Sequence, residues 1–394
     1  AGDCTVVGAR AAAWAPVPCL AAAIVLDEHD EVYQEERAPT WNARDVVIER
    51  ARRARVPCVL TSPCPSLAVL AVARLVRPGR PEERCGWPLI EVIDRRADPP
   101  GSGLYSKRVV DVVREAGPDA RVVCVLNRKG RAVLLACGAC GELARCEVCE
   151  GALETTTAFG PRKPAGGQAL RCRRCGAEQP PVCRWCGAER VKALRIGVTR
   201  AREELELLAG HPVAEITAES EPGPLPAASV LVGTVAVLHR VAGAHAVVFL
   251  DFDQELLAPR YRAAEEALAL LARAGRLVGG RDGGRGRVLV QTRTPAHEAI
   301  DAALHGDPVR LAVVEAARRA ALRLPPETAL ARLSGPGAPE LAAALARHMG
   351  VEVLGPAGDR WLVRAGDHRT LCEALAAAQR PSGRVRVEVD PLRA

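Results

Sequence analysis

Apolar residues along this chain gather in short runs separated by charged, helix-favouring stretches. Segments 22–26 and 56–60 are two such runs; the first ends at Asp27-Glu28-His29 and the second leads into 61–66. Between them, 43–53 carries the spacing of a helix. Segment 121–126 predicts a third strand, ending in Asn127-Arg128-Lys129-Gly130. Further along, 229–231, 246–250 and 288–291 read as strands, and 203–208 and 263–274 as helices. Strands alternating with helices predict an α/β architecture with largely parallel sheets. From about residue 324 the pattern becomes α+β, with helices near 339–349 and 367–379 and strands near 351–354, 361–364 and 385–389. Patches rich in Pro and Gly at 98–103, 221–226 and 335–338 mark turns or domain edges.

A chain of 394 residues is long enough for two or three compact units. Its 48% hydrophobic and 26% charged residues describe a globular protein and exclude a disordered one. The net charge of +7 favours anionic partners mildly. Nearly all the positive charge is Arg, with Lys only at 107, 129, 163 and 192, so single arginines carry little functional signal. Segment 11–26 is apolar like a secretory leader, but Pro16 and Pro18 break it and acidic residues follow directly. A signal peptide is therefore not expected, nor is a membrane partner, and the chain is expected in the cytoplasm. Met349 is the only methionine and Ala1 opens on what reads as mid-domain sequence, so a piece of a longer protein is expected.

The cysteines change the picture most. Eight of the fifteen form four CxxC pairs: Cys137/Cys140, Cys146/Cys149, Cys172/Cys175 and Cys183/Cys186. Zinc takes four soft thiolates in a tetrahedron, and each CxxC turn presents two, so four pairs predict two complete structural zinc sites. With all four positions filled by sulfur, neither site is catalytic. Gly138, Gly141, Gly176 and Gly187 follow closely, as tight turns require. Adjacent pairs could share an ion across 141–145 and 176–182, or the inner pairs could join through 150–171 with the outer pairs around them. Spacing does not choose among the three possible pairings. Most of the remaining cysteines (4, 19, 58, 64, 85, 124 and 372) are expected to be small core residues.

The order of segments resembles the PriA family, the primosomal proteins N′ that restart stalled replication forks in bacteria. Val7-Gly8-Ala9-Arg10 and the residues to Pro16 are similar to that family's VGTRSAxFAP, and Asp27-Glu28-His29-Asp30 to its DEEH box with one carboxylate missing. Tyr33-Gln34, Ala43-Arg44-Asp45, 61–66 and 127–130 stand where the family has YKQ, HARD, GSATPS and NRRG. Gly233-Thr234, 251–253, 262–265 and Gln291-Thr292 resemble its second helicase lobe, and 353–356 with 389–391 its C-terminal domain. The resemblance implies part of a first helicase-like lobe over 1–120, the start of a second over 121–136, a zinc module over 137–190, the rest of the second lobe over 191–320 and an α+β C-terminal domain over 321–394. It also implies nested zinc sites: Cys137, Cys140, Cys183 and Cys186 on one ion, and Cys146, Cys149, Cys172 and Cys175 on the other.

Several departures bear on ATP. Hydrolysis needs a P-loop lysine and a carboxylate pair at the metal and water. No lysine here follows a glycine, so no GK[ST] motif is present; in the family that loop would precede residue 1. The DEEH equivalent, Asp27 and Glu28, is one residue short and reads as the polar end of a strand, and Pro63 replaces an Ala of GSATPS. Where the family inserts an arginine finger from QVAGRAGR, Leu277 and Gly280 stand at the arginine positions, and a one-residue slip recovers only Arg276. Loss of such a finger costs roughly 10³–10⁵ in rate in related systems.

The leading expectation is therefore a non-hydrolysing DNA-binding restart factor at the nucleoid, without ATP as a working ligand. Its partners would be forked or single-stranded DNA and other primosome proteins. The alternatives are an active 3′→5′ DNA helicase and a zinc-ribbon protein that does not bind DNA. Residues 131–200 hold twelve Lys/Arg against six Glu, which makes Arg171, Arg173, Arg174 and Trp185 candidate DNA contacts. The competing reading has Trp185 packed in the small core of the module.

Overall fold

The computed structural model describes residues 4–37, 40–98, 103–126, 135–157, 168–172, 175–193, 198–220, 223–281 and 286–392. The chain forms two compact units, one of Ala1–Val76 with Ala312–Ala394 and the other of Arg77–Leu311.

The larger unit is built on a six-stranded, wholly parallel sheet. Its spatial order is Val213–Ile216, Val230–Gly233, Val122–Val125, Ala246–Phe249, Arg287–Thr292 and Leu89–Asp94. Every residue of Val122–Val125, Val230–Gly233 and Ala246–Phe249 is buried. That explains their unbroken apolar sequences, since a parallel sheet covered on both faces has no polar side. Helices Lys107–Arg114 and Val198–Ala209 cover one part, with Val109, Val113, Ala201 and Leu205 in its core. The first of these helices is capped by the Ser106 hydroxyl, which accepts the Val109 N–H. Helix Ala263–Val278 covers another part, burying Ala264, Ala267, Leu268, Leu271 and Gly275 at helical spacing. Leu89–Asp94, which lies in the segment 1–120 grouped above with a first lobe, pairs with Arg287–Thr292 at the edge of this sheet.

The smaller unit holds a parallel pair, Ala23–Val25 with Cys58–Leu60, and the helix Ala43–Ala54. It also holds a four-stranded antiparallel sheet ordered Val351–Ala357, Arg360–Ala365, Ala329–Ser334 and Arg386–Val389. Helices Ala338–Leu345 and His368–Ala377 close its core with Leu341, Leu345 and Leu371. The mixed α/β class with an α+β tail is the architecture the pattern predicted. The scattered cysteines differ from expectation: Cys64 and Cys124 are buried, whereas Cys4, Cys19 and Cys372 are exposed. No described helix is long and apolar enough to cross a membrane.

Candidate metal centres

Between the central strand Val122–Val125 and helix Val198–Ala209, the chain leaves the sheet to build a separate cysteine module. Its base is an antiparallel pair, Leu135–Cys137 with Val191–Ala193, so entry and exit lie side by side. A three-stranded antiparallel sheet, Glu178–Gln179, Gln168–Cys172 and Leu153–Thr157, forms its body. Leu135, Leu153 and Leu170 fill the small core together with Cys146 and Cys172.

All four CxxC turns have one geometry. The residue after the second cysteine returns its N–H to the carbonyl of the first: Gly141 to Cys137 at 3.0 Å, and Glu150 to Cys146, Gly176 to Cys172 and Gly187 to Cys183 at 2.9 Å each. That closing residue is left-handed, with φ of 78° at Gly141, 76° at Gly176 and 72° at Gly187. In the remaining turn Glu150 adopts φ 57°, a conformation that costs a non-glycine residue about 1–2 kcal/mol. Gly138 serves differently: its N–H donates to the Arg190 carbonyl at 2.6 Å, and a Cβ there would meet Arg190 at 3.3 Å.

The sulfurs come together in nested fashion. Cys137, Cys140, Cys183 and Cys186 form one group and Cys146, Cys149, Cys172 and Cys175 the other, each with all four sulfurs within 4.8 Å of one another. The Cys137–Cys186 and Cys140–Cys183 sulfurs are each 3.6 Å apart, Cys146–Cys175 3.4 Å and Cys149–Cys172 3.5 Å. Burial raises the Cys137 thiol pKa, but the N–H groups of Cys140 and Ala139 and the Cys186 side chain outweigh it and hold Cys137 at about 7. Burial likewise works against Cys175, yet the Ala177 N–H and the neighbouring cysteines lower it. At Cys140 the Glu142 N–H favours the thiolate, but burial and the facing Cys186, Cys183 and Cys137 push it up to about 12. Burial and facing sulfurs also raise Cys149, against the Gly151 N–H. Four thiolates within 4.8 Å of one another would repel, and a bound cation would let them coexist. The two groups are four-cysteine sites that could each hold a metal ion.

At the tip of the Cys183–Cys186 turn, Trp185 is 70% exposed, with the Arg184 guanidinium 6.0 Å from its ring centroid. It does not fill the module core. Arg171 is exposed, but its cross-strand neighbours are Glu154 on one side and Glu178 on the other, an alternating row that balances its charge. Arg173 and Arg174 lie outside the described residues, as does the segment 127–130.

The residues considered for nucleotide chemistry are separately placed. Glu28 is 2% exposed and accepts the Ser66 N–H at 2.7 Å, the Ser66 hydroxyl at 2.8 Å and the Arg44 guanidinium at 3.3 Å. It is the buried centre of an ion pair just past the strand Ala23–Val25. The neighbouring His29 Nδ1 meets the Ser62 hydroxyl at 2.7 Å, and Asp27 adopts φ 54°. In the larger unit Asp253 is buried, accepting the Thr292 hydroxyl at 2.5 Å and the Arg293 N–H at 2.8 Å. Arg276 is exposed in the last turn of its helix. A Cβ on Gly280 would collide with the Cys85 carbonyl oxygen. Arg281, which the sequence reading passed over, donates from its N–H to Cys85 O at 2.9 Å and from its side chain to Leu304 O at 2.7 Å. Glu150 was also passed over; only the missing fourth glycine could have drawn attention to it.

A parallel sheet with a two-centre cysteine module inserted after its central strand defines an α/β protein with a metal-binding insertion. Comparison with known proteins narrows that class. The chain is 32% identical over 413 aligned residues to the replication restart protein PriA of Treponema pallidum, covering 93% of this chain and 59% of that protein. It is 31% identical to the probable replication restart protein PriA of Mycobacterium leprae, over 84% of this chain and 52% of that one. Against PriA of Bacillus subtilis it is 29% identical over 75% of this chain and 38% of the other. No family model matches the chain. Over most of its length the chain is similar to the PriA replication restart proteins. It spans about half the length of the curated relatives it matches.

Proposed function

We propose that this chain acts in replication restart as a cytoplasmic factor that binds forked or single-stranded DNA and scaffolds primosome proteins without hydrolysing ATP. The observation that carries the DNA-binding reading is the exposed Trp185, flanked by Arg184, on a rigid cysteine turn. Aromatic faces stack on unpaired bases of any sequence, and a neighbouring guanidinium adds charge for phosphate. Zinc is the ion we assign to both groups. A Zn–S distance near 2.3 Å gives a tetrahedron with sulfur–sulfur edges of about 3.8 Å. The spacings of 3.4–3.6 Å fit a slightly contracted version of it. Zinc there would hold the turns that present Trp185 and would take no part in chemistry.

The absence of hydrolysis is supported by the surroundings of Gly280 and Arg281. The first has no room for a side chain, and the second is spent on backbone carbonyls instead of a phosphate. One observation favours the second reading, an active ATP-dependent 3′→5′ helicase: Glu28, Ser66 and Arg44 keep a buried, fully bonded network between the segments that resemble DEEH, GSATPS and HARD. The two readings part in one experiment on the full chain. Fluorescence anisotropy with a labelled fork should report binding, while phosphate release with the same fork and ATP should stay at background. Binding with vigorous DNA-dependent turnover would select the helicase.

A further inference from the structure

The two cysteine groups are joined by a side chain that belongs to neither. Glu150 follows Cys149, a member of one group, and its carboxylate accepts the Arg184 guanidinium at 3.2 Å; Arg184 follows Cys183, a member of the other. On the opposite side, Arg145 approaches the same carboxylate at 3.9 Å. Arg184 in turn stands over the Trp185 ring. Beside the outer group lies a small cavity lined by Cys137 and Cys183 of that group together with Arg145, Leu170, Arg184 and Trp185.

We propose that Glu150 is a positioning residue that couples the two metal centres and fixes the stance of Trp185 toward a base of single-stranded DNA. The last part rests on the DNA-binding reading above. Three of the four turns close on glycine, which adopts the left-handed conformation freely. The fourth closes on glutamate in the same conformation, and this is the turn whose closing side chain reaches the other centre. Glycine there would relax the backbone but could not reach Arg184. The pair also confines Arg184, leaving its guanidinium between a carboxylate and an indole. A stacking ring gains most when it is already oriented before the base arrives.

The test uses the full chain loaded with zinc. Glu150→Gln and Arg184→Gln each remove the ion pair, and Glu150→Gly removes it while relieving the backbone. Zinc release into excess chelator should quicken about two- to fivefold in each Gln variant, the range expected for one exposed ion pair, and less in Glu150→Gly, where the relieved backbone offsets the lost pair. The double variant Glu150→Gln/Arg184→Gln should be no faster than either single one. Acrylamide quenching should rise in Glu150→Gly but not when Trp185→Phe is already present. Affinity for an oligo(dT) probe should fall about two- to fivefold with Glu150→Gln, and not at all in a Trp185→Ala background. Additive effects of the two Gln changes, or release rates equal to the parent in both Gln variants, would overturn the coupling. If zinc release couples as described but Trp185→Ala leaves oligo(dT) binding intact, the brace stands and the stacking role falls.

Discussion

The Glu28 carboxylate and Ser66 meet twice, through the Ser66 N–H at 2.7 Å and its hydroxyl at 2.8 Å, with Arg44 completing the circle. Glu28 and Arg44 are both almost fully buried, and Arg44 also pairs with Asp45 at 2.8 Å. Glu28→Ala should destabilise the unit of 1–76 and 312–394 by about 2 kcal/mol, because it takes the shared acceptor from the buried Ser66 N–H and hydroxyl. Urea denaturation checks this, and a loss below about 1 kcal/mol would mean that water reaches the pair.

Metal content is the most direct test of the cysteine groups. Reduced chain should carry about two zinc ions, and Cys146→Ser and Cys183→Ser should each lose about one, since they strike different groups. Plasma emission spectrometry on desalted protein decides; a parent with a single ion would remove one of the two centres.

Restoring arginine at 280 should not restore catalysis. The Cys85 carbonyl occupies the space a Cβ would need, so Gly280→Arg should cost about 1–3 kcal/mol in stability through overpacking. Its DNA-stimulated phosphate release should match the parent's background. Substantial turnover in the parent, lost on Asp27→Ala, would instead establish a working ATPase.

DNA binding should weaken with salt, the logarithm of the association constant falling by about 0.7 for each phosphate neutralised on a single strand. Trp185→Ala should cost about 1–3 kcal/mol at every salt concentration with no change of slope, because stacking releases no counterions. Arg171→Ala should leave the slope unchanged, given its acidic neighbours Glu154 and Glu178. A flatter slope in that variant would mean that Arg171 reaches the phosphates.

His368 Nε2 donates to the Asp390 carboxylate at 2.5 Å, and that hydrogen bond raises its pKa above the ordinary 6.5, against the effect of burial. The charges of Asp390, Asp45 and Asp367 act in the same direction. A histidine raised in the folded state stabilises fully below pH 6.5, and the contribution fades as pH climbs through its folded value. Proton NMR should place the His368 titration above 6.5 in the parent, and Asp390→Asn should bring it back down.

Much of the larger sheet is legible in the chain because its central strands are buried on both faces and read as pure apolar runs. Leu89–Asp94 is harder to see: Glu91 interrupts it, and the guanidinium of Arg108, which takes up that charge at 2.6 Å, comes from a helix further along the chain. The cysteines announce two four-thiol groups, but spacing leaves their grouping open, and only the three-dimensional path settles which sulfurs meet. Glu28 is conspicuous as an acidic residue, yet its burial depends on Arg44 and Ser66, which local sequence cannot bring to it. The Glu150–Arg184 contact is invisible for the same reason.

The nesting of the two groups sets an order for assembly. In the naked chain, the inner group must close the loop from Cys149 to Cys172, whereas the outer one must span the longer path from Cys140 to Cys183. Closure entropy alone separates these only mildly, by about 0.6 kcal/mol for each doubling of length. Once the inner loop is stapled, however, only 141–145 and 176–182 separate the outer pairs from it, and the second ring is almost formed. The first ion therefore does the work of a clasp for the second, and loading should be sequential from the inside outward.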